Sequence, residues 1–238
     1  TVLMAKLRCL GSSSSGNCFL LESQGEVLIL DLGLDWKSVM KAIDYRLERV
    51  VGAVVTHRHG DHSYLIPKML KYCIPVYSCS DVAGRYDEVV CLQPKTKYKI
   101  GKFIVQPLMV EHDVENYAYI ISNEDFGKLV YAVDCVQFPY KIANTNHWVI
   151  EANHDEEIII DNMCDNIATQ SASENHLSIS QTIEVLNNNL CDATRTIVLS
   201  HLSDGNSNAS EFLIRAKNEL GFENVFIADK GVEIELNN

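Results

Sequence analysis

Four side chains that can bind metal ions lie within six residues of one another. The segment VVTHRHGDH, residues 54–62, runs from an apolar stretch directly into His57, His59, Asp61 and His62. Because side chains alternate along an extended chain, His57 and His59 leave the strand end on the same side, whereas Asp61 and His62 belong to the turn before a predicted helix. One loop could therefore supply ligands to two adjacent ions. The plainer alternative is a solvated polar loop.

This segment resembles the HxHxDH motif of the metallo-β-lactamase superfamily, and matching residues follow in the family's order along nearly the whole chain. They stand in the stretches EVLILD, VEHD, VYAVD and IVLSHLS, and they are Asp31, His112, Asp134 and His201. Taken alone, a histidine at a strand end is usually a hydrogen-bonded structural or surface residue. Since the chain also contains the HxHxDH motif, Asp31 is interpreted as the family's early acidic residue. His112, Asp134 and His201 are interpreted as its remaining metal ligands.

The resemblance implies a site for two divalent ions. One ion would be held by His57, His59 and His112, the other by Asp61, His62 and His201, and Asp134 would bridge them. Every position has the residue type that the family uses there. Zinc is the first choice for this set of ligands, and manganese or iron would suit it as well.

Cys135, next to Asp134, is an alternative ligand of the second ion. Alternation along a strand turns only one of these two side chains towards the site. We favour Asp134, because a carboxylate can bridge two ions, and we expect Cys135 to face the core.

Four further segments narrow the resemblance to one group within the superfamily. GSSSSGNCFLLES, HWVIEANHD, ENHLS and LSHLSDGNSN together look like the YycJ/WalJ-type metallo-β-lactamase-fold hydrolases. The resemblance implies phosphodiester hydrolysis, including nuclease activity on DNA. The serine-rich turn could also receive a phosphate oxygen, although a flexible hairpin turn is the simpler interpretation.

The chemistry that follows is two-metal hydrolysis. Two divalent ions bridged by a hydroxide would make a nucleophile at neutral pH and would stabilise charge on a phosphoryl oxygen. The sequence contains no GxSxG nucleophile motif, which agrees with water as the attacking group. Asp61 could orient the hydroxide in addition to being a ligand.

Two histidines outside the ligand set are candidates for proton transfer. His176 in ENHLS and His154 in EANHD could protonate the leaving oxygen or bind a phosphate oxygen. The alternative is that both are structural residues of their loops. Glu151, Asn153 and Asp155 could orient ligating imidazoles.

The favoured function is therefore a metal-dependent DNA or RNA nuclease. The main alternative is a small-molecule phosphodiesterase that acts on cyclic nucleotides or cyclic phosphates. Thioester or lactone hydrolysis is possible on the same scaffold. A non-catalytic binding module is disfavoured, because degenerate members of the family usually lose ligands and none is missing here.

The elements that must position these residues alternate between strands and helices. Thirteen β-branched or alternating runs predict strands, and helical spacing predicts helices at residues 36–44, 63–72, 155–162, 178–189 and 208–220. Ser178 with Gln181 and Asn208 with Glu211 form capping-box patterns, and Gly221 is a helix stop. The pattern and the resemblance predict an α/β fold, a four-layer αββα sandwich with two mixed sheets face to face and helices outside. No linker divides the chain, so we expect one domain over residues 1–238.

Composition limits the partners. The chain has 238 residues, 47% hydrophobic and 22% charged, and no apolar run long enough to span a membrane. The eight cysteines form no CxxC pair and are expected to be reduced and mainly buried, which favours a cytoplasmic protein. The net charge of −12 arises in the last third, where residues 151–238 carry 16 acidic and 4 basic side chains. A broadly basic surface for nucleic acid is therefore excluded, and a phosphodiester substrate must be held by a local patch or by metal ions.

One such patch is PKTKYKIGK at residues 94–102. Alternation would place Lys95, Lys97 and Lys99 on one face of a strand, where they could track a nucleic-acid backbone. An edge strand that lysines protect against aggregation is the commoner explanation. The sequence is also compatible with a homodimer.

Overall fold

Two β-sheets of seven strands each pack face to face in this protein. The computed structural model describes residues 4–162 and 174–238. The first sheet has the order β14-β1-β2-β3-β4-β5-β6, and the second has the order β13-β12-β11-β10-β9-β8-β7. This confirms the predicted α/β sandwich with two mixed sheets.

The first sheet is antiparallel on one side and parallel on the other. Its strands are β1 (Ala5–Gly11), β2 (Cys18–Ser23), β3 (Glu26–Leu30), β4 (Val50–Val54), β5 (Val76–Ser78), β6 (Val90–Cys91) and β14 (Glu233–Leu236). Strands β14 to β3 pair antiparallel, and strands β3 to β6 pair parallel.

The second sheet repeats this arrangement. Its strands are β7 (Tyr98–Ile100), β8 (Phe103–Val110), β9 (Asn116–Asn123), β10 (Gly127–Ala132), β11 (His147–Glu151), β12 (Thr196–Ser200) and β13 (Val225–Ile227). Strands β7 to β10 pair antiparallel, and strands β10 to β13 pair parallel. The sequence analysis counted thirteen runs and did not count the short edge strand β7 among them.

Seven helices cover the described part of the chain. They are α1 (Trp36–Ala42), α2 (Gly60–Ser63), α3 (Ile66–Lys71), α4 (Ser80–Ala83), α5 (Glu156–Asn162), α6 (Ile179–Asn189) and α7 (Ala209–Leu220). Ser178 and Gln181 form the predicted capping box, whereas Asn208 caps α7 only by accepting a hydrogen bond from the Glu211 amide. Gly221 ends α7 in the left-handed conformation. The single helix predicted at 63–72 is instead divided, because Pro67 lies in the first turn of α3 and has no N–H to continue α2.

Two apolar cores hold these layers together. Between the sheets, Phe19 of β2 meets Tyr131 of β10 with ring centroids 5.6 Å apart. On the outer face of the second sheet, Trp148 packs in a core with Ile183 of α6 and Phe212 of α7. Strands β11 and β12 are buried at every position, which explains their nearly continuous apolar sequences.

The strands bring the predicted ligands to one edge of the sandwich. Strand β8 runs parallel to β10, because both pair antiparallel with β9. Strands β8, β10 and β12 therefore end at the same edge, just before His112, Asp134 and His201. In the first sheet, the parallel strands β3 and β4 end just before Asp31 and His57. Carboxyl ends of parallel strands are the usual place for ligand sites in α/β folds.

Two predictions about composition need correction. Only Tyr98–Ile100 of the lysine-rich segment forms a strand, so Lys95 and Lys97 lie in the preceding turn and do not share a strand face with Lys99. Cys9, Cys18, Cys79 and Cys135 are buried as expected, but Cys73, Cys91 and Cys191 are exposed, and Cys164 lies outside the described residues.

No helix of the described residues has the length and apolar character needed to cross a membrane.

Gly33 is expected to be essential for stability. A Cβ atom there would lie 1.6 Å from the carbonyl oxygen of Asp61 and 2.7 Å from the amide nitrogen of Asn17. Because both contacts are backbone, Gly33→Ala must displace the loop, and we expect it to lower the free energy of unfolding by about 3 kcal/mol. Urea unfolding of the metal-free protein measures this. Gly60→Ala is the matched control, since nothing lies within 4 Å of a Cβ at Gly60; equal midpoints for the two variants would contradict the expectation.

Candidate metal centre

The predicted ligands converge into adjacent clusters at the shared edge. His57, His59 and His112 form one group, and Asp61, His62, Asp134 and His201 form another. Within each group, the atoms that could bind a metal all lie within 4.8 Å of one another. The structure therefore brings together all seven residues that the motif and the resemblance pointed to.

The first cluster consists of three imidazoles. Nε2 of His57 lies 3.0 Å from Nδ1 of His59. The ring of His112 lies 5.0 Å from the ring of His57 and 5.3 Å from that of His59, measured between centroids. His57 is fully buried, whereas the side chain of His59 is about one-third exposed.

The second cluster combines imidazoles with carboxylates. Oδ2 of Asp61 lies 3.4 Å from Nε2 of His62 and 3.9 Å from Nε2 of His201. Two ligands of one tetrahedral zinc ion lie about 3.3 Å apart, given zinc–nitrogen distances of about 2.0 Å. The distances between these donor atoms are thus of the size expected for ligands of one and the same metal ion.

Asp134 stands between the two clusters. Its Oδ2 lies 3.5 Å from Nε2 of His57 in the first cluster and 3.1 Å from Nε2 of His62 in the second. Cys135 points the other way, into the apolar core, where its Sγ contacts the carbonyl oxygen of Val133. The geometry therefore suits Asp134, and not Cys135, as the residue shared by two ions.

Buried polar atoms without partners support a metal at this place. Among the described residues, Nε2 of His201 is shielded from water and has no hydrogen-bond partner. Nε2 of His112 and Oδ1 of Asp134 are shielded likewise and make no hydrogen bond, with Oδ1 of Asp113 at 3.1 Å and Nδ1 of His201 at 3.2 Å as their charged neighbours. Leaving such atoms unsatisfied costs free energy, so native structures rarely do it without a reason. These atoms lie within the clusters described above, so the residues present fit divalent ions.

The second nitrogen of three of the predicted ligand rings is held by the protein. Nδ1 of His57 lies 3.0 Å from the hydroxyl of Thr56. Nδ1 of His62 lies 2.8 Å from Oδ2 of Asp31, and Nδ1 of His112 lies 3.2 Å from the carbonyl oxygen of Asn175. An imidazole that donates from one nitrogen presents the lone pair of the other, so these contacts aim Nε2 of each ring into the site.

Asp31 organises the second cluster although it is not itself in a ligand group. Its carboxylate accepts hydrogen bonds from the Thr56 amide at 2.8 Å and the Tyr131 hydroxyl at 2.6 Å, in addition to contacting His62.

Three residues of the centre have a left-handed backbone conformation. Asp31 adopts a positive φ of 60°, Asp134 one of 54° and His201 one of 52°. Left-handed backbone at non-glycine residues is uncommon and is concentrated at functional sites.

Asp31→Asn is expected to weaken metal binding by about 10- to 100-fold, because it removes the negative charge that holds the His62 ring in its ligating orientation. Competition with a chromophoric chelator measures the zinc affinity. Tyr131→Phe removes only one donor to the same carboxylate and should have a smaller effect. Unchanged affinity in Asp31→Asn would show that the contact does not orient His62.

Electrostatics differ sharply between neighbouring rings. Burial and the neighbouring His62 hold the pKa of His57 well below its usual value. Burial also disfavours the charged form of His62, but the carboxylates of Asp134 and Asp31 outweigh it and raise the pKa of His62 well above its usual value. A metal ion would therefore displace a proton from His62 when it binds.

A third group joins the second cluster and contains two further candidates from the sequence, His176 and Glu151. Asp134, Glu151, His176 and His201 also present their polar atoms within 4.8 Å of one another. The ring of His176 stacks on that of His201 with centroids 5.2 Å apart and an angle of 17° between planes. The position of His176 directly before a capped helix was the signal for this residue, and Glu151 was a candidate for orienting an imidazole, although the sequence did not show which one.

Glu151 connects the two loops that flank this group. Its Oε2 accepts from the Asp134 amide and lies 3.0 Å from Nδ1 of His176, and its Oε1 accepts from the amides of Cys135 and Leu177. Burial lowers the pKa of His176, but the hydrogen bond and the charge of Glu151 outweigh this and raise it to about 9. The buried carboxylate of Glu151 therefore holds the His176 ring in place and favours its protonated form.

The other sequence candidates have different positions. His154 is buried, belongs to none of the three groups, and its carbonyl oxygen accepts from the Ile179 amide. Asn153 contacts His201 through Nδ2, at 3.3 Å from Nδ1 and 2.9 Å from the carbonyl oxygen. Asp155 instead pairs with Arg215. In the serine-rich turn, the Ser12 hydroxyl accepts from the His201 amide, so this turn supports the centre.

Comparisons with known proteins agree with this geometry. A family model for the metallo-beta-lactamase superfamily matches residues 13–89. The exodeoxyribonuclease WalJ of Streptococcus pneumoniae serotype 2 (strain D39 / NCTC 7466) is 28% identical over 224 residues, covering 85% of this chain and 83% of WalJ. The exodeoxyribonuclease YycJ of Bacillus anthracis is 24% identical over 217 residues, covering 83% of this chain and 82% of YycJ. The metallo-beta-lactamase fold protein YhfI from Bacillus subtilis superposes with a TM-score of 0.77 at 19% identity, over 98% of this chain and all of that one.

The fold is that of the metallo-β-lactamase-fold class of proteins, as the likeness to YhfI shows, and residues 13–89 match the family model of the metallo-beta-lactamase superfamily. Within that class, its sequence is similar to those of the exodeoxyribonucleases WalJ and YycJ, which confirms the predicted likeness to the YycJ/WalJ group. The superfamily and the converging histidines and aspartates support a metal-dependent hydrolase.

Proposed function

We propose that this protein is a dinuclear metal-dependent phosphodiesterase whose substrate is DNA. The proposal rests on the position of Asp134. One of its two carboxylate oxygens, Oδ2, lies 3.5 Å from Nε2 of His57 in the first cluster and 3.1 Å from Nε2 of His62 in the second. A carboxylate in that place suits two ions close enough to act on one phosphate. The nuclease names of the similar proteins support a nucleic-acid substrate.

The seven converging residues would hold the ions, with zinc as the first choice and manganese or iron as alternatives. When bound, two such ions supply a hydroxide nucleophile at neutral pH and positive charge that stabilises a phosphoryl oxygen. Asp61, whose side chain is 24% exposed, is the ligand open to solvent in the second cluster and would orient the attacking water.

His176 would donate the proton that the leaving oxygen needs. Its side chain is 15% exposed, so substrate can reach the ring, while Glu151 holds Nδ1. The other nitrogen, Nε2, is then the atom that can give a proton to an alkoxide. His154 is only 4% exposed, so we assign it a positioning role in the loop that precedes α6.

A cyclic nucleotide or cyclic phosphate is the second candidate substrate. The observation that favours it is the acidic last third of the chain, with 16 acidic against 4 basic side chains in residues 151–238. Such a surface repels a long polyanion but admits a small one.

We further propose that residues 1–238 act as one catalytic domain. A homodimer is compatible with this activity, and a DNA substrate fits action in the cytoplasm.

The test uses three substrates with metal-reconstituted protein: bis-p-nitrophenyl phosphate, linear DNA and cyclic mononucleotides. The proposal predicts turnover of the chromogenic ester, loss of that turnover in Asp61→Ala, and faster hydrolysis of DNA than of cyclic nucleotides. The opposite ratio would favour the second candidate. Absence of turnover on all three with metal bound would contradict phosphodiester hydrolysis and would direct attention to thioesters and lactones.

A further inference from the structure

An exposed surface of aromatic and basic side chains lies beside the second ligand cluster. Tyr64, Lys68 and Tyr72 are spaced four residues apart, and Tyr64 and Leu65 keep helical dihedral angles between α2 and α3. Side chains with this spacing share one face of a helix. We name the set of Trp36, Tyr64, Lys68 and Tyr72 the aromatic strip.

Two rings of the strip are open to solvent, and the third, Trp36, is partly buried against the core between the sheets. Tyr64 is 66% exposed and Tyr72 is 47% exposed. The ring of Trp36 stacks on that of Tyr72, with centroids 4.8 Å apart and an angle of 10° between planes. Nζ of Lys68 lies 5.6 Å from both of these ring centroids, so a positive charge accompanies the stacked pair.

The surroundings of the strip are basic, although the chain as a whole carries a net negative charge. Helix α1 carries Lys37 and Lys41, helix α3 carries Lys68 and Lys71, and neither helix contains an acidic residue. In the part of the chain that the structure describes, none of these four lysines forms an ion pair. Residues 36–72 contain seven Lys and Arg against three Asp and Glu, whereas the whole chain has a net charge of −12.

The strip is continuous with the candidate metal centre. Tyr64 follows the ligands Asp61 and His62 by only two or three residues. The backbone of Leu32 bonds to that of His62 at 2.7 Å and to that of Leu65 at 2.9 Å, which fixes the loop before α1 against the start of α3. Tyr64 is therefore the member of the strip nearest in sequence to the ligands of the second cluster.

We propose that the aromatic strip binds single-stranded DNA next to the phosphodiester that is cleaved, an inference that rests on the proposed function. Bases stack on exposed aromatic rings without regard to sequence, while lysines follow the phosphates. Charge complementarity selects this occupant, because the lysines of α1 and α3 form no ion pair among the described residues, whereas the net negative charge of the protein arises in residues 151–238. A strand held here positions its end at the ions although the molecule as a whole repels DNA.

The first experiment measures binding with a fluorescein-labelled phosphorothioate oligothymidylate, which resists hydrolysis, and the metal-loaded full chain. By fluorescence anisotropy, Tyr64→Ala is expected to raise the Kd by about 10-fold, since one base–aromatic stack contributes about 1–3 kcal/mol. Tyr64→Phe keeps the ring and should restore the affinity. Tyr45→Ala is the matched control, because Tyr45 is 67% exposed but lies beyond the other end of α1.

The salt dependence of binding tests the contribution of the lysine of the strip, Lys68, and of its neighbour Lys71. Lys68→Gln and Lys71→Gln should each lower the slope of log Kd against log salt concentration by about 0.7, the value for one phosphate contact on a single strand. On unmodified oligothymidylate, Tyr64→Ala should raise KM more than it lowers kcat. The resulting loss of kcat/KM should exceed any loss of kcat/KM on bis-p-nitrophenyl phosphate.

Failure of this inference is distinguishable from failure of the proposed function. If the wild type does not bind the oligonucleotide, or if Tyr64→Ala and Tyr45→Ala bind it equally, the inference is overturned even when DNA is hydrolysed. If Tyr64→Ala changes the mass in sedimentation without changing the Kd, the strip is a contact between two copies of this chain and the inference is likewise overturned. If no phosphodiester is hydrolysed, the proposed function fails, while the anisotropy series still decides what the strip binds.

Discussion

Asp134→Asn is expected to reduce phosphodiester hydrolysis by about 1000-fold or more, because the variant loses the charge that would hold two ions together. Oδ2 of Asp134 lies within 3.5 Å of a histidine of each cluster, so one substitution affects both metal positions. The change keeps the size of the side chain, which limits any effect on folding. Hydrolysis of bis-p-nitrophenyl phosphate at saturating metal, with metal content measured on the same sample, gives the result.

Cys135→Ala provides the control for this prediction. Cys135 is adjacent in sequence and fully buried, but its side chain faces the core. The variant should lose some stability, because it leaves a small cavity, and should keep its metal content and its turnover. The reverse pattern, with activity lost in Cys135→Ala and kept in Asp134→Asn, would assign the ligand role to the thiolate.

His176→Asn is expected to slow hydrolysis of DNA by about 100-fold, the lower range for loss of a positioned general acid. The loss should be much smaller with bis-p-nitrophenyl phosphate, because p-nitrophenolate leaves without a proton whereas the alkoxide of a nucleotide needs one. The comparison separates proton donation from a structural role, since a distorted site would slow both substrates equally. The readout is the ratio of kcat values for the two substrates.

Glu151→Gln extends this prediction to the residue that holds His176. The amide still occupies the place between the two loops but no longer carries the charge that favours the protonated imidazole. We expect the same substrate pattern as in His176→Asn, with a smaller loss. Equal losses on both substrates would indicate that Glu151 acts by maintaining the backbone contacts of Cys135 and Leu177.

Sequence was sufficient for the parts of the site that are local in the chain. His57, His59, Asp61 and His62 lie on one loop, so their spacing alone predicts a cluster. The helix caps at Ser178 and Asn208 were predictable for the same reason, because a cap involves residues three apart. Local patterns of this kind require no knowledge of the tertiary structure.

The remaining parts depend on contacts between distant segments. Glu151 reaches the loops of Asp134 and His176 only because β10 and β11 are neighbours in the sheet, and the sequence does not state that pairing. The aromatic strip likewise requires Trp36 of α1 to stack on Tyr72 after α3. Alternation also misplaced Lys95 and Lys97, because a turn replaced the strand on which alternation depends.

Counting bound ions against activity tests the central claim most directly. Metal-free protein is titrated with zinc, and separately with manganese, while native mass spectrometry counts ions per chain and the same samples hydrolyse bis-p-nitrophenyl phosphate. The proposed function predicts two ions per chain at saturation and turnover that appears with the second ion. Saturation at one ion or none, or full turnover in the presence of a chelator that removes all bound metal, would contradict a dinuclear hydrolase.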